Sequence, residues 1–305
     1  MPKPALPFQA QSAETLLAWL KTQITSLGLN APISIYALVD VAKLSKDQLA
    51  APIADLNTPD HEALNLYEDL EGLEIVRTGP LLIELTEATL AKAVSLSFET
   101  HAVSFLLGVV NAGMLAQHLQ SLREVTLPDD TQALFRFQDV NVSSNLMAHL
   151  SPGMVNQMLG PLLRWVAPDV CGFLHVLAHK PGYQRLGPLR FDRRTFDRLN
   201  EALLTFTVAD QVRAVDPTLL QDLSACQSTR VINQRLAAGK KLGLKVSADL
   251  GLYVVLSLQL PPGFERQAPF AGALQKALQG HSTFGDALDA VPQTDWDKWN
   301  AEHAN

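Results

Sequence analysis

Cysteines and long hydrophobic runs are both scarce in this sequence. Its only two cysteines, Cys171 and Cys226, are far apart in the chain and in apolar settings, which predicts reduced core residues of the kind found in cytosolic proteins. No apolar stretch approaches the roughly 20 residues that cross a bilayer. Residues 1–8 lack the continuous apolar core of a signal peptide. We therefore expect a cytoplasmic protein that does not bind a membrane.

The motifs of common catalytic and phosphate-binding sites are also absent. No Gly-x-Ser-x-Gly occurs, because residues 280–285 have the wrong spacing and no preceding strand. Gly239-Lys240 lacks the upstream glycine and the following Ser or Thr of a phosphate loop, and there is no Gly-x-Gly-x-x-Gly. None of these motifs therefore predicts a catalytic residue or a cofactor.

The histidines and cysteines do not predict a metal or thiol site. His175 and His179 are four residues apart, but their segment has the composition of a strand. On a strand they would share a face at a separation of about 13 Å, too far for one metal ion. Nothing in the sequence near Cys171 would lower its pKa, so an inert cysteine is predicted.

Charge is distributed unevenly along the chain. The net charge of −7 argues against nucleic acid as the main partner. Residues 1–179 hold 9 Lys and Arg against 18 Asp and Glu, residues 180–245 hold 12 against 6, and residues 246–305 hold 3 against 7. The basic middle third has two interpretations. It is either a helical surface of ordinary salt bridges or a docking face for an acidic protein surface.

Hydrophobic periodicity predicts two lobes. An α/β (α+β) lobe with a mixed sheet and helices is predicted for residues 1–180, and an all-helical lobe for residues 188–305. Residues 180–188, rich in Gly and Pro, would link them. Residues 248–260 are apolar on every side and must be buried, either as a helix or as a strand. Strands are predicted at residues 33–39, 63–67, 81–85, 101–110 and 170–177. Ser12 is predicted to cap the first helix, Gly243 to end a helix of the second lobe, and Trp296 and Trp299 to pack the C-terminal tail against that lobe.

A hairpin is the most informative segment. Pro128-Asp129-Asp130 is turn chemistry, and residues 123–127 and 132–138 on either side are rich in β-formers. Arg136 and Asp139 stand where the second strand ends. Two short helices should follow, the second with Ser151 as its N-cap and a proline at its first position.

Four motifs in a fixed order resemble one bacterial family. They are Tyr36-Ala-Leu-Val-Asp40, Gly79-Pro80 before a hydrophobic strand, Leu127-Pro128-Asp129, and Arg136-Phe-Gln-Asp139. Their order resembles the domain of unknown function 4123 family, whose members act as effector adaptors or chaperones of the type VI secretion system. The resemblance covers residues 30–170. The family usually carries Pro-Arg after the hairpin aspartate, where this chain has Val140-Asn141, so no role for that arginine is carried over.

The resemblance implies a protein that binds another protein and catalyses no reaction. It would bind a toxic effector, at the effector's N-terminal segment, and load it onto the valine-glycine-repeat (VgrG) spike while remaining in the cytoplasm. We expect the client surface in a groove between the lobes together with a basic helix face. The arginines of that face are Arg190, Arg193, Arg194 and Arg198.

Three ionisable motif residues each have a structural and a functional interpretation. Arg136 and Asp139 form either a partly buried ion pair or part of the surface that a client touches. Asp40, which ends a strand that also holds Tyr36, either caps the turn that follows or is part of that client surface.

Two other functions remain open from the sequence. A hydrolase could assemble its site from His101, His118 or His149 with a distant carboxylate. Alternatively, the chain could be a structural subunit of the secretion apparatus, held by a large apolar self-interface.

Overall fold

The structure is a computed structural model that describes residues 8–27, 32–44, 53–58, 61–183 and 187–303. Its contacts divide the chain into two units, residues 1–202 and 203–305. The division falls inside a long helix, α7 (Arg193–Val215). The linker predicted at residues 180–188 precedes this division, and its residues 184–186 lie outside the described residues.

The first unit is built on a six-stranded sheet with the order β2-β3-β1-β4-β7-β8. A separate hairpin pairs β5 with β6. The strands of the sheet are β1 (Ser34–Val39), β2 (Leu64–Asn65), β3 (Leu81–Leu85), β4 (Val103–Gly108), β7 (Leu162–Pro168) and β8 (Leu174–Ala178), and those of the hairpin are β5 (Glu124–Thr126) and β6 (Gln132–Leu134). The predicted fold class, a sheet-and-helix lobe followed by a helical lobe, is confirmed.

The described strands of the sheet differ from the prediction in direction, because all five neighbouring pairs are antiparallel. Strands β3 and β4 run the same way and are joined through a helix, as in a parallel unit. They are not neighbours, however, since β1 lies between them and pairs with both. The alternation of strands and helices predicted parallel pairs in a mixed sheet. Because β1 lies between β3 and β4, these two strands do not pair with each other, and no parallel pair forms between them.

Helices cover the sheet and have the sequence features predicted for them. Ser12 caps the first helix, and Ser151 with Pro152 begins the sixth, both as predicted. Buried apolar residues of the first and third helices meet the odd-numbered residues of β1 in one core. The helices of this unit before α7 are α1 (Ala13–Ser26), α2 (Leu73–Arg77), α3 (Glu87–Thr100), α4 (Ala112–Gln120), α5 (Val140–Met147) and α6 (Pro152–Leu159).

Strand β7 was not predicted, although it lies between β4 and β8 in the sheet. Trp165 and Val166 at its centre are fully buried. Arg164 and the terminal Pro168 interrupt the apolar run, so the segment lacks both alternation and a continuous apolar stretch. Burial against neighbouring strands, and not local pattern, determines its conformation.

The second unit is helical. Residues 248–259 lie in a helix, so the alternative assignment of this segment as a strand is wrong. Gly243 ends the preceding helix in a left-handed conformation with φ of 103°, as predicted. Phe270 packs edge-to-face on Trp296 and Trp299, at ring-centroid distances of 5.4 and 5.0 Å, which confirms the predicted packing of the tail. After α7 the helices are α8 (Ala225–Leu242), α9 (Ser247–Gln259), α10 (Phe270–Leu278), α11 (Phe284–Asp289) and α12 (Gln293–His303).

The cysteine prediction is wrong. Cys171 and Cys226 are half-buried, and neither is a free thiol. The argument from reduced cysteines to a cytosolic location therefore no longer holds. In the part of the chain that the structure describes, no single helix has the length and apolar character of a membrane span, and α8 with α9 passes that test only as a pair bent by 118°.

The segment before α1 is attached to the sheet next to β8. Ala10 N donates to Gly172 O at 2.8 Å, and Leu174 N donates to Phe8 O at 2.7 Å. Gly172 has φ of +79°, and a Cβ on it would lie 2.3 Å from Ala10 O. Gly182 has nearly the same φ, +80°, but a Cβ on it would meet nothing within 4 Å.

Gly172→Ala should therefore destabilise the protein more than Gly182→Ala. Both place a side chain in a left-handed conformation, which costs roughly 1–2 kcal/mol. Only the first also pushes the Ala10 carbonyl away and breaks the attachment. Denaturant unfolding of the two variants measures the difference, and equal losses would show that the clash is relieved without consequence.

Candidate functional site

Two motif segments, 96 residues apart in sequence, meet in the first unit as a charge cluster, by which we mean Asp40, Lys43, Arg136 and Asp139. Arg136 Nη2 donates to both oxygens of Asp40, at 3.2 and 3.1 Å. Lys43 Nζ forms an ion pair with Asp139 Oδ1. Arg136 and Asp139 thus pair with different partners and not with each other, unlike the pair considered from the sequence.

The local fold fixes each member of the cluster. Asp40 directly follows β1, and its N–H donates to Ala102 O at 2.8 Å. Asp139 begins α5, where its side chain accepts from Asn141 N at 2.8 Å. This carboxylate therefore serves both the helix and Lys43.

Two buried aromatic side chains fix the main chain around Arg136. Phe135 packs edge-to-face on Phe191 at 5.4 Å, and Phe137 packs edge-to-face on Trp165 at 6.1 Å. Both phenylalanines are buried, whereas Arg136 between them is exposed. The alternation turns the arginine side chain outward on a backbone that has little freedom to move.

Burial is unequal across the Asp40–Arg136 pair. The side chain of Asp40 is 0% exposed and that of Arg136 is 46% exposed. Burial raises the pKa of Asp40 above its usual value, and the neighbouring Arg136 only partly offsets this effect. Only Nη2 of Arg136 is used, so its Nε and Nη1 donors have no acceptor among the described residues.

Tyr36 and two residues that the sequence analysis missed complete the surroundings. The Tyr36 hydroxyl donates to the Val110 carbonyl, and burial of the side chain raises the pKa of this hydroxyl. This role is structural. Tyr67 donates to Gln138 Oε1 at 3.5 Å, and its pKa is also raised by burial. Lys43 was missed too, although its position three residues after Asp40 could have indicated it.

The four predicted arginines do not form one uniform surface. Arg190 lies before α7 and pairs with Asp130 of the hairpin turn at 2.6 Å. Arg193, Arg194 and Arg198, here called the arginine face, lie on the first two turns of α7 and are exposed. These three have no ion-pair partner within the described ranges.

His149 lies beside the arginine face. Its pKa is lowered, first by burial and then by the nearby Arg198 and Arg194. Its Nδ1 is buried without a hydrogen-bond partner. The arginine face is thus close enough to disfavour a positive charge on His149, which lies just after the end of α5.

An apolar cleft opens elsewhere in the first unit, between α1, α3, the start of β1 and the end of β3. Its volume is about 380 Å³. Lys21 and Glu87, both exposed, pair at 3.6 Å among its lining residues. Its apolar lining consists of Ile24, Ile33, Ile35, Leu85 and Leu90.

The histidines proposed for a hydrolase have three separate settings. His101 ends α3, His118 Nε2 bonds Met158 O at 2.9 Å, and His149 lies beside the arginine face. His175, considered as a metal ligand, pairs with Asp169 at 3.0 Å. Across the described residues there is no group of three or more His, Cys, Asp or Glu side chains arranged to hold a metal ion.

Removing the two members of the Asp40–Arg136 pair should have unequal effects. Arg136→Gln leaves a fully buried carboxylate without its cation, and we expect a loss of about 3 kcal/mol in the free energy of unfolding at pH 7. Asp40→Asn should cost less, because the half-exposed arginine that it leaves unpaired keeps contact with water. Denaturant unfolding measures both.

The pH dependence follows from the raised pKa of Asp40. A carboxyl whose pKa is higher in the folded than in the unfolded state makes ionisation costly for the fold. Wild type should therefore gain stability relative to Asp40→Asn as the pH falls through the folded pKa towards the usual aspartate value. The deficit of Arg136→Gln should shrink over the same interval, and a deficit that grows on acidification would contradict the assignment.

Comparison with known proteins gives one match. No curated protein and no solved structure matches the chain. A family model described as "Domain of unknown function (DUF4123)" matches residues 35–157. This segment contains both ion pairs of the charge cluster and all four sequence motifs, and it covers less than half of the 305 residues. The match supports the resemblance of residues 35–157 to the domain of unknown function 4123 family.

Proposed function

We propose that this protein is an effector adaptor, or chaperone, of the type VI secretion system. It binds a cognate toxic effector, at the effector's N-terminal segment, and loads it onto the VgrG spike without catalysing a reaction. It acts in the cytoplasm, and its partners are proteins and not nucleic acid or membranes. The net charge of −7 is consistent with this choice of partner.

One observation carries the proposal. The four motifs shared with the adaptor family fall in order inside residues 35–157, and two of them are joined by the ion pair of Arg136 with Asp40. Motifs that are distant in sequence but in contact in the fold are parts of one structural unit. In this chain, therefore, the first and last of the four motifs belong to one structural unit.

Two surfaces of the first unit have the chemistry that protein binding requires. The apolar cleft can take aliphatic or aromatic anchor residues, which supply most of the affinity in protein complexes. The arginine face can attract an acidic surface, because its cations have no partner among the described residues. Apolar anchors and selective charge together suit a protein that holds a client and later releases it.

The direct test is co-purification. An adaptor gene is expected to lie next to the gene of its effector, and the product of such a neighbouring toxin gene should be retained by the tagged full-length chain. In cells that lack this chain, the effector should lose solubility or abundance. Retention of the spike protein on the effector-loaded chain tests the loading step. An effector that is equally abundant, soluble and secreted without this protein would contradict the proposal.

Charge reversal tests the arginine face. Arg194→Glu with Arg198→Glu should weaken effector binding at low salt by tenfold or more, since complementary charges across an interface steer association. The difference from wild type should diminish as salt screens the charges. The matched control is Arg77→Glu with Lys92→Glu, which makes the same change in net charge at two exposed cations that are already paired with carboxylates. Equal binding by both double variants would exclude the arginine face.

A single charge tests the apolar cleft. Ile24→Glu places a carboxylate among the apolar lining residues, so bound effector should be reduced about tenfold because an apolar anchor loses its contact there. Thr22→Glu on the exposed side of the same helix is the control. Ile24 also packs partly against the core, so Ile24→Glu should lower the thermal stability more than Thr22→Glu, and binding is compared at a temperature at which both variants are folded. Unchanged affinity of Ile24→Glu in isothermal titration calorimetry would show that the cleft is not used.

A further inference from the structure

The hairpin of β5 and β6 has two unlike edges. On the β5 side, Thr126 N donates to Leu189 O at 2.9 Å, and Phe191 N donates to Thr126 O at 3.0 Å. The main chain of residues 189–191 therefore covers that edge. It adds a short parallel bridge to the two-stranded sheet.

On the β6 side the edge is open. Leu127 N donates to Thr131 O and Phe135 N donates to Arg123 O, so the hydrogen-bonded positions of this strand are 131, 133 and 135. The main-chain groups of Gln132 and Leu134 must then point away from β5. No partner for these groups occurs among the described residues.

Side chains at this edge are also available for contact. Gln132, Leu134 and Arg136 are exposed, Leu134 by 48%, and they alternate with the partly buried Ala133 and the buried Phe135. Arg136 lies two residues beyond Leu134, at the end of the edge. Its Nε and Nη1 donors are unused while Asp40 holds its Nη2, which leaves a fixed guanidinium ready to bond carbonyl oxygens.

The chemistry of the edge specifies an extended peptide. Free N–H and C=O groups along an edge are satisfied by an extended segment that runs alongside it. The charge cluster is neutral in sum, whereas residues 1–179 carry twice as many acids as bases. Glu124 of the hairpin is exposed without an ion pair among the described residues, whereas the pKa of the exposed Asp129 is lowered by its hydrogen bonds with Thr131 and by Arg193. These surroundings favour a neutral or basic segment.

We propose that the open edge of β6 binds an extended, neutral or basic segment of the client effector as a third strand. Main-chain hydrogen bonds form at Gln132 and Leu134, and Arg136 donates to the segment's carbonyl oxygens where the edge ends. The proposal rests on the adaptor function and identifies a binding surface distinct from the arginine face. It also gives Asp40 a role in binding, that of positioning Arg136.

The first measurement uses the free full-length protein. Amide exchange followed by NMR should show fast exchange at Gln132 and Leu134, and slow exchange at Ala133 and Phe135, whose N–H groups point to β5. Protection of all four amides in the free protein would mean that the edge is already covered, and it would overturn the inference. Concentration-dependent protection without effector would identify a second copy of this chain as the occupant and would also overturn it.

The second measurement adds the effector encoded beside the gene. Gln132 and Leu134 should gain protection of at least tenfold in the complex. Leu134→Pro removes only the outward N–H, so the hairpin should remain while effector Kd rises about tenfold or more. Leu134→Ala, which keeps that N–H, is the matched control and should bind within threefold of wild type.

Arg136→Lys tests the guanidinium. The lysine keeps a cation beside Asp40 but lacks the planar fork, so it cannot bond Asp40 and present fixed donors outward at the same time. Effector Kd should rise about tenfold, by the same factor at low and high salt, since the acceptors are uncharged. Arg77→Lys, at another exposed arginine, should leave Kd unchanged.

The outcomes separate the two proposals. An effector that binds wild type, Leu134→Pro and Arg136→Lys equally overturns the strand-addition inference and leaves the adaptor function in place. If the effector Kd of Arg136→Lys divided by that of wild type falls to one at high salt, carbonyl oxygens are not the acceptors of Arg136. If wild type does not bind the effector, the adaptor function is overturned. The identification of the third strand as a segment of the effector then falls with it.

Discussion

The burial of one carboxylate organises the first unit of this protein. Asp40 is completely enclosed at the end of β1, where an ionised group is stable only with a cation beside it. That cation comes from Arg136, 96 residues later, and its main chain is fixed by Phe135 and Phe137 in the aromatic core. The requirement for a partner thus ties the end of β1 to the hairpin and to the helices that follow it.

Local patterns were sufficient for most elements of the fold. The caps at Ser12 and Ser151, the glycine stop at Gly243 and the hairpin turn were all readable, because each depends on residues within a few positions of one another. Pairing across long separations was not readable. The position of β1 between β3 and β4, and the existence of β7, depend on burial between distant segments, which leaves little trace in the local sequence.

The candidate site shows the same division. Sequence order identified Asp40, Arg136 and Asp139 as related, but the partner of each became evident only from the fold. Lys43 was overlooked because only its position three residues after Asp40 indicated it. The arginine face was identified by composition. The pairing of Arg190 with Asp130 was hidden, since the hairpin turn and the start of α7 lie 60 residues apart.

The order of strands has a consequence for how much of the chain forms a stable body. The segment that matches the family model ends at residue 157, five residues before β7 begins. Cut at that point, β4 would keep β1 on one side and present bare main chain on the other, a ready template for aggregation. In this protein the second side of β4 is paired only when residues 162–178 are present. A fragment that folds stably must therefore extend well past the segment that matches the family model.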